Sequence, residues 1–161
     1  MNKLILLGGP PGIGKTSVLN VLPKYISTCA LFDADDIWRT YPQDNDAINR
    51  SNNIVAVHSV LRSHLASNHS PLIFAWVFAN PALVDDVLSG IKDYIISIQR
   101  IYLVASPDIL LQRLAKRSAT QELVQYSLGK LKDIDKMNQP KIDTSSLDSE
   151  GVAQIIASQI I

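Results

Sequence analysis

The stretch GPPGIGKT at positions 9–16 constrains the fold of this chain more than any other feature of the sequence. It matches the pattern G-x-x-x-x-G-K-[ST], in which glycines let successive backbone N–H groups turn inward around phosphate oxygens. In that pattern the lysine, here Lys15, reaches the β- and γ-phosphates, and the hydroxyl of Thr16 is a ligand of Mg²⁺. The alternative is a glycine-rich corner between a strand and a helix, but such a corner does not need Lys-Thr after its last glycine.

The surrounding sequence supports nucleotide binding, because an apolar run precedes the pattern and a segment that can be helical follows it. The positive N-terminal end of that helix adds to the same anion site. The residues predicted to bind the nucleotide in this loop are Gly9, Pro10, Pro11, Gly12, Ile13, Gly14, Lys15, Thr16 and Ser17.

Composition narrows the class of protein. With 161 residues, of which 47% are hydrophobic and 19% charged, the chain is expected to form a single globular domain over residues 1–161. A formal net charge of zero argues against a nucleic-acid partner. The single cysteine, Cys29, excludes an internal disulfide framework and a cysteine-rich zinc site. The apolar run before Gly8 is too short for a secretory signal or a membrane span, so we expect a cytoplasmic protein without membrane contact.

Five apolar runs alternate with segments that have helical signals. The predicted strands are residues 3–7, 29–32, 72–78, 100–105 and 141–143. The predicted helices are residues 15–22, 44–68, 81–88, 108–117, 121–136 and a last helix after Asp148. This alternation implies βαβ units with right-handed crossovers and therefore an α/β fold with a parallel sheet.

Three carboxylates follow the second predicted strand, at Asp33, Asp35 and Asp36. Ligands of open α/β sheets lie beyond the carboxyl ends of the strands, which is also where the phosphate-binding loop follows strand one. Phosphoryl transfer needs a carboxylate that orients or deprotonates the attacking hydroxyl and an acid near Mg²⁺. Two acids one residue apart can divide these tasks. Helix capping and solvated charge are the alternative, which we favour for Asp36 but not for Asp33 or Asp35.

The loop at 9–16 followed by Asp33-x-Asp35 resembles the small P-loop kinases, which include shikimate kinase, gluconate kinase, chloramphenicol phosphotransferase and the adenylate-kinase-like nucleotide kinases. The segments around residues 102–117 and 142–153 are also similar to the fourth strand, lid entry and adenine-binding end of that group. The resemblance implies a three-layer α/β/α P-loop NTPase fold with a five-stranded parallel sheet of order 2-3-1-4-5. It also implies a short lid at about 114–126.

The resemblance implies a role for each matching residue. Lys15 would hold the β/γ-phosphates, Thr16 would ligate Mg²⁺ and Asp33 would lie near the metal. Asp35 matches the candidate base that contacts the acceptor hydroxyl. Arg113 matches the arginine that stacks on adenine, whereas Arg117, with Lys116 as a further candidate, matches the lid cation that neutralises the transferring phosphoryl group. For these three basic residues the alternative is an exposed helix face.

A second set of side chains marks the acceptor side. Trp38, Arg39 and Tyr41 follow the strand-two acids, Trp76 and Phe78 end strand three, and His58 and Arg62 lie one turn apart on the long helix. Aromatic rings would stack a ring of the acceptor, and Arg39 or Arg62 would pair with an anionic group. A purely structural role in the core is the alternative for Trp76 and Phe78. The spacing of the three histidines disfavours zinc.

Together these features predict an ATP-dependent phosphotransferase that uses ATP and Mg²⁺ and a small-molecule or nucleotide acceptor. The predicted catalytic residues are Lys15, Asp35 and Arg117, the predicted substrate-binding residues are Asp33, Asp35, Arg39 and Trp76, and the predicted metal ligands are Thr16 and Asp33. The alternative is a regulatory ATPase that binds nucleotide without a small-molecule acceptor, against which the lack of an acid after strand three and of an N-K-x-D motif counts. A chain that binds ATP but has lost activity is a third reading.

Overall fold

The computed structural model describes residues 2–37, 47–67 and 69–160, with the side chains of 47–51 excepted. The predicted acceptor-side residues Trp38, Arg39 and Tyr41, and the predicted start of the long helix at Asp44, lie outside these residues.

A five-stranded sheet forms the centre of the molecule. Its strands are β1 (Asn2–Gly8), β2 (Ala30–Asp33), β3 (Leu72–Ala75), β4 (Ile96–Val104) and β5 (Lys141–Asp143). They lie in the order β2-β3-β1-β4-β5, and all neighbouring pairs are parallel. Ala75 at the end of β3 is opposite Leu7 of β1 on one side and Asp33 of β2 on the other. The predicted strand order is therefore confirmed, and the ends of β1 and β2 are separated by one strand.

Within the described part of the chain, six α-helices connect and cover the strands. They are α1 (Lys15–Val21), α2 (Ala47–Ala66), α3 (Pro81–Ser89), α4 (Pro107–Lys116), α5 (Gln121–Asp135) and α6 (Ser149–Ile160). The starts of α3 and α4 are explained by capping, because the side chains of Asn80 and Ser106 accept hydrogen bonds from first-turn amides and a proline follows each. The sequence predicts both caps, because Asn80 and Ser106 are residue types that cap helices and each stands directly before a proline. Among the described residues, no helix is long and apolar enough to span a bilayer.

Two apolar cores lie on opposite faces of the sheet. In β1, Ile5 and Leu7 point into one core, which α1, α4, α5 and α6 cover, and Leu4 and Leu6 point into the other, which α2 and α3 cover. Successive side chains of β1 thus alternate between the two cores, so both faces of the strand are buried and apolar. The result is the predicted three-layer α/β/α fold.

Two predicted strand boundaries are wrong. Strand β3 ends at Ala75 and not at residue 78, because the backbone turns away at Phe78, which has a positive φ of 48°. Strand β4 begins at Ile96 and not at Arg100, because its pairing with β1 already starts at Ile96. Its pairing with β5 starts only at Tyr102. Phe78 is fully buried and belongs to the core, whereas Trp76 is half-buried and faces the cleft described next.

Candidate active site

The loop at residues 9–16 joins β1 to α1 and has backbone geometry that only glycine adopts readily. Gly12 has a φ of 84°, and a Cβ on it would lie 2.6 Å from Cδ2 of Leu114 in α4. The position therefore needs glycine both for its conformation and for the close approach of a neighbouring helix. Gly14 has a φ of 112° and is the N-cap of α1.

Side chains from other elements hold the outward carbonyl groups of this loop. The Oγ of Ser127, in α5, donates to the carbonyl oxygen of Pro11 at 2.6 Å. The guanidinium of Arg113, in α4, donates to the carbonyl oxygen of Ile13 at 3.1 Å. Two helices that follow the loop by about a hundred residues thus stabilise its shape. Sequence reasoning missed Ser127, although a small polar residue on the apolar face of a helix was a signal for it.

Lys15 lies at the centre of the charged groups of the loop. Its Nζ donates to the carbonyl oxygens of Gly9 and Pro10 at 2.8 and 3.2 Å. Partial desolvation lowers the pKa of Lys15 to about 8, the carboxylates of Asp35 and Asp33 oppose this shift, and the Arg117 guanidinium adds to it. The lysine is therefore still mostly charged at neutral pH, but it loses its proton more readily than an ordinary lysine.

Asp33 connects the loop to the end of β2. One carboxylate oxygen accepts from the hydroxyl of Thr16 at 2.7 Å and the other from the backbone N–H of Asp35 at 3.0 Å. The second bond caps the short 3₁₀ turn at Ala34–Asp36, which the chain forms directly after the strand. The capping role of Asp36 stays a prediction, because the residues that it would cap, from 38 onward, lie outside the described residues. Asp33 is buried, and Asp36 is exposed.

The Thr16 and Asp33 pair fits a magnesium ion. Both side chains supply oxygen donors, which Mg²⁺ prefers, and Mg²⁺ usually takes one or two protein ligands and completes its shell with phosphate oxygens and water. Among the described residues, no group of three or more His, Cys, Asp or Glu side chains is arranged to hold a metal. This site therefore offers a place for a phosphate-bound Mg²⁺ and not a cage made of protein ligands alone.

Asp35 lies in the middle of this turn and lines the same cleft. Desolvation by the surrounding walls and the neighbouring carboxylate of Asp33 raise its pKa, against the opposing charges of Lys15 and Arg117. A carboxylate with a raised pKa is a stronger proton acceptor than an ordinary one. The arrangement brings a candidate base and a candidate phosphate cation into one electrostatic network.

The predicted basic residues of α4 lie at the cleft in different ways. Arg113 is fixed by hydrogen bonds to the Thr144 hydroxyl at 2.8 Å and to the Thr144 carbonyl at 2.7 Å, in addition to the loop. It therefore joins the loop to the end of β5, and its adenine-stacking role stays a prediction. Arg117 ends α4 and lines the cleft together with Lys116.

The cleft has a volume of about 1930 Å³, roughly twice the upper range of pockets that hold a single drug-sized ligand. Predicted site residues that line it are Pro11, Gly12, Ile13, Gly14, Lys15, Thr16, Ser17, Asp33, Asp35, Trp76, Arg113 and Arg117. The structure does not bring Arg62 there, because its guanidinium pairs with Asp93 at 2.7 and 2.9 Å and donates to the Gly90 carbonyl. His58 is also directed at α3, where Nε2 lies 2.8 Å from the carbonyl oxygen of Asp86.

Comparisons with known proteins agree with this architecture. A family model described as AAA domain matches residues 5–136. The tunicamycin resistance protein of Deinococcus radiodurans has a similar structure, with a TM-score of 0.72 and 24% identity over 99% of this chain and 96% of that one. A gluconokinase from Sinorhizobium meliloti 1021 gives a TM-score of 0.68 and 15% identity over 98% and 92% of the two chains.

Shikimate kinase from Acinetobacter baumannii, in complex with shikimate, gives a TM-score of 0.66 and 20% identity over 99% and 93% of the two chains. No curated protein sequence matches. At these identities the structural similarities establish a shared fold.

Proposed function

The chain belongs to the AAA domain family, and on that basis we propose that it is a P-loop kinase, an ATP-dependent phosphotransferase. It moves the γ-phosphoryl group of Mg-ATP to a hydroxyl or phosphate acceptor that docks near Asp35. Two neighbours with this fold are named as kinases, which supports the proposal. Residues 1–161 form one domain, with a lid at about 114–126.

The donor half of the site is the loop at residues 9–16. Its backbone amides and the Lys15 ammonium group bind the β- and γ-phosphates. Arg113 stacks on the adenine ring. Thr16 and Asp33 hold the Mg²⁺, which neutralises phosphate charge when it is bound. Arg117 approaches from the end of α4 and stabilises negative charge on the transferring group.

In the acceptor half, Asp35 orients a hydroxyl group and takes its proton. The acceptor oxygen forms a bond to the γ-phosphorus while the bond from that phosphorus to the bridging oxygen breaks, and ADP leaves with the electron pair. The raised pKa of Asp35 suits this step, because the carboxylate then holds the transferred proton more firmly. Catalysis otherwise comes from positioning and from charge stabilisation.

One observation carries the proposal: Lys15 and Asp35 interact electrostatically in one cleft that is large enough for a second ligand. A protein that only binds nucleotide needs Lys15 and does not need an acid with a raised pKa on the far side of the phosphates. A regulatory ATPase without an acceptor is thus the less favoured reading.

The decisive test is a screen for acceptor-dependent ADP release, with Mg-ATP and candidate nucleosides, nucleotides, sugar acids and antibiotics. We expect at least one class of acceptor to raise turnover above the basal ATPase rate, with the phosphorylated product detected by mass spectrometry. Asp35→Asn should lower transfer by about 10²–10⁴-fold, the usual contribution of a general base, and leave ATP affinity nearly unchanged.

Asp36→Asn is the matched control, since it removes a neighbouring exposed carboxylate from the same turn. Its transfer rate should stay within a few-fold of the wild type. Slow ATP hydrolysis that no acceptor accelerates, and that Asp35→Asn leaves intact, would contradict the kinase reading and favour the regulatory ATPase.

A further inference from the structure

The turn between α4 and α5, residues 117–120, lies in the middle of the lid segment, and we refer to it as the α4–α5 turn. Ser118 in this turn has a φ of 51°, which is the left-handed conformation. Its backbone N–H donates to the carbonyl oxygen of Ala115 at 3.0 Å, and the N–H of Ala119 donates to the carbonyl oxygen of Leu114 at 3.1 Å. These two bonds form the Schellman motif, which satisfies the last carbonyl groups of a helix. The first half of the turn therefore has a defined conformation.

The second half of the turn is fixed as well. The side-chain oxygen of Thr120 accepts a hydrogen bond from the backbone N–H of Leu123 at 3.2 Å and so caps α5. Ala119 is half-buried and packs against the same apolar core as Leu114. An apolar contact of this kind often accompanies the Schellman motif. The four residues of the turn thus belong to the two helix caps and leave no free length of chain between α4 and α5.

The helices on both sides of the turn contact the phosphate-binding loop. In α4, the buried side chain of Leu114 lies so close to Gly12 that a Cβ there would be 2.6 Å from it. In α5, the buried hydroxyl of Ser127 donates to the carbonyl oxygen of Pro11 at 2.6 Å. These two anchors enclose the lid segment at about 114–126. The segment cannot swing away from the loop unless these contacts break.

The turn places Arg117 at the cleft in the absence of a ligand. Arg117 is the C-cap of α4, directly before the left-handed residue, and it is exposed and lines the cleft. Its positive charge acts on both Lys15 and Asp35, lowering the pKa of each. The guanidinium group therefore lies near the lysine of the phosphate-binding loop before nucleotide arrives.

We propose that the lid is fixed and does not close over the nucleotide: the α4–α5 turn holds Arg117 beside the site of the γ-phosphate from the start, with Ser118 and Thr120 as positioning residues. The inference rests on the proposed function for the role of Arg117 at the transferring group. A cation that is already in place needs no reorganisation during the reaction. A closing lid, in contrast, must order its chain at each turnover, at a cost in conformational entropy.

Distances between two spin labels, measured by pulsed electron paramagnetic resonance, test whether the lid is fixed. Gln121→Cys labels an exposed position at the start of α5, and Gln159→Cys labels an exposed position near the end of α6, in a Cys29→Ala background. The end of α6 is a fixed reference, because Nζ of Lys3 in β1 donates to the carbonyl oxygen of Ile160 at 2.6 Å. We expect saturating Mg²⁺ and a non-hydrolysable ATP analogue to change the mean distance by less than about 2 Å, as in pre-organised sites.

Variants of the turn test whether it positions the arginine. A β-branched residue is strongly disfavoured at this positive φ, whereas asparagine adopts it. Ser118→Val should therefore broaden the distance distribution. It should also lower the preference for the γ-phosphate, which is the Kd of Mg-ADP divided by that of the Mg²⁺ complex of the ATP analogue, by at least about threefold in calorimetry. Arg117→Gln should lower this preference by about tenfold, the effect of one charge-assisted hydrogen bond.

Two controls accompany these variants. Ser118→Asn should restore the distance distribution and the preference for the γ-phosphate to the values of the wild type, because asparagine tolerates the left-handed conformation. Gln112→Val places the same side chain as Ser118→Val at an exposed position of α4 that does not line the cleft, and it should change neither quantity.

The outcomes decide between a fixed and a closing lid. A larger change of the wild-type distance on nucleotide binding overturns the inference, and this measurement decides even if Ser118→Val does not fold. Equal preferences in Ser118→Val and Ser118→Asn also overturn it, as does an Arg117→Gln variant that keeps the wild-type preference. None of these measurements requires an acceptor. If they agree with the expectation but no acceptor is phosphorylated, the proposed kinase function fails while the positioning role of the turn stands.

Discussion

The pKa of Lys15 leads to a quantitative prediction for nucleotide binding. In the ligand-free protein, partial desolvation lowers this pKa from 10.5 to about 8, although Asp35 and Asp33 act in the opposite direction. Phosphate groups bound beside the ammonium group favour its charged form and raise its pKa well above this value. Binding of ATP must therefore be accompanied by proton uptake whenever the free lysine is partly neutral.

The size of the effect follows from the free pKa. With a value of about 8, roughly 90% of the lysine is charged at pH 7 and roughly 10% at pH 9. If only the charged form binds, the apparent Kd for Mg-ATP rises about tenfold between these pH values, which corresponds to about 1.4 kcal/mol. About 0.9 proton is then taken up per ATP bound at pH 9, against about 0.1 at pH 7.

Isothermal titration calorimetry at pH 7, 8 and 9 measures both quantities, if each titration is repeated in two buffers with different ionisation enthalpies. Lys15→Arg is the control, because a guanidinium group stays charged throughout this range and should remove the pH dependence. Lys15→Met should bind weakly at every pH. An affinity of the wild type that stays constant from pH 7 to 9, without proton uptake, would refute the reasoning about Lys15.

The same shift has a second consequence, for the ligand-free fold. Because the folded pKa lies below the unfolded one, the unfolded chain binds more protons between about pH 8 and 10.5, and the contribution of Lys15 to stability rises with pH over that window. The difference in free energy of unfolding between wild type and Lys15→Met, followed by urea denaturation, should show this rise. A difference independent of pH would contradict it.

Three further substitutions test the supports of the site. Ser127→Ala leaves the Pro11 carbonyl without its buried donor. We expect the free energy of unfolding, measured by urea denaturation, to fall by about 1–3 kcal/mol and the affinity for ATP to weaken several-fold. An unchanged affinity would show that this contact does not shape the loop. Gly12→Ala forces a Cβ to 2.6 Å from a methyl group of α4 at a positive φ, and should abolish ATP binding in calorimetry while the far-UV circular dichroism spectrum is retained. Tyr102→Phe removes the buried hydroxyl that donates to the Phe78 carbonyl at 3.0 Å. It should lower the free energy of unfolding by about 1 kcal/mol with little effect on ATP affinity. A thermal melt with and without ATP would check both expectations.

The boundaries of β3 show where local pattern stops being informative. The apolar run from Leu72 continues through Phe78, so periodicity alone predicts one strand. In the structure, the residues up to Ala75 pair with both neighbouring strands. The next two residues, Trp76 and Val77, line the cleft instead. Hydrophobicity does not distinguish a side chain buried in the core from one that forms the apolar wall of a binding site.

Capping illustrates the opposite case. Asn80 and Ser106, each followed by proline, begin helices as the sequence predicts, because the interaction involves only the next three residues. At the end of β2 the same local chemistry has three candidates, and the structure gives the cap of the 3₁₀ turn at Ala34–Asp36 to Asp33. The orientation of the strand decides which carboxylate points back toward the turn.

The sequence by itself determined the phosphate-binding loop, the alternation of strands and helices and the position of acids after the second strand, because each depends on residues that are close together in the chain. Only the tertiary structure decided how the loop is held and how charge is distributed around it. The hydrogen bond from Ser127 to Pro11 joins residues that are 116 positions apart in the chain. The salt bridge with Asp93 holds Arg62 away from the cleft, although the sequence made this arginine a candidate for the acceptor side. Such contacts depend on how distant segments pack, which no local pattern of residues encodes.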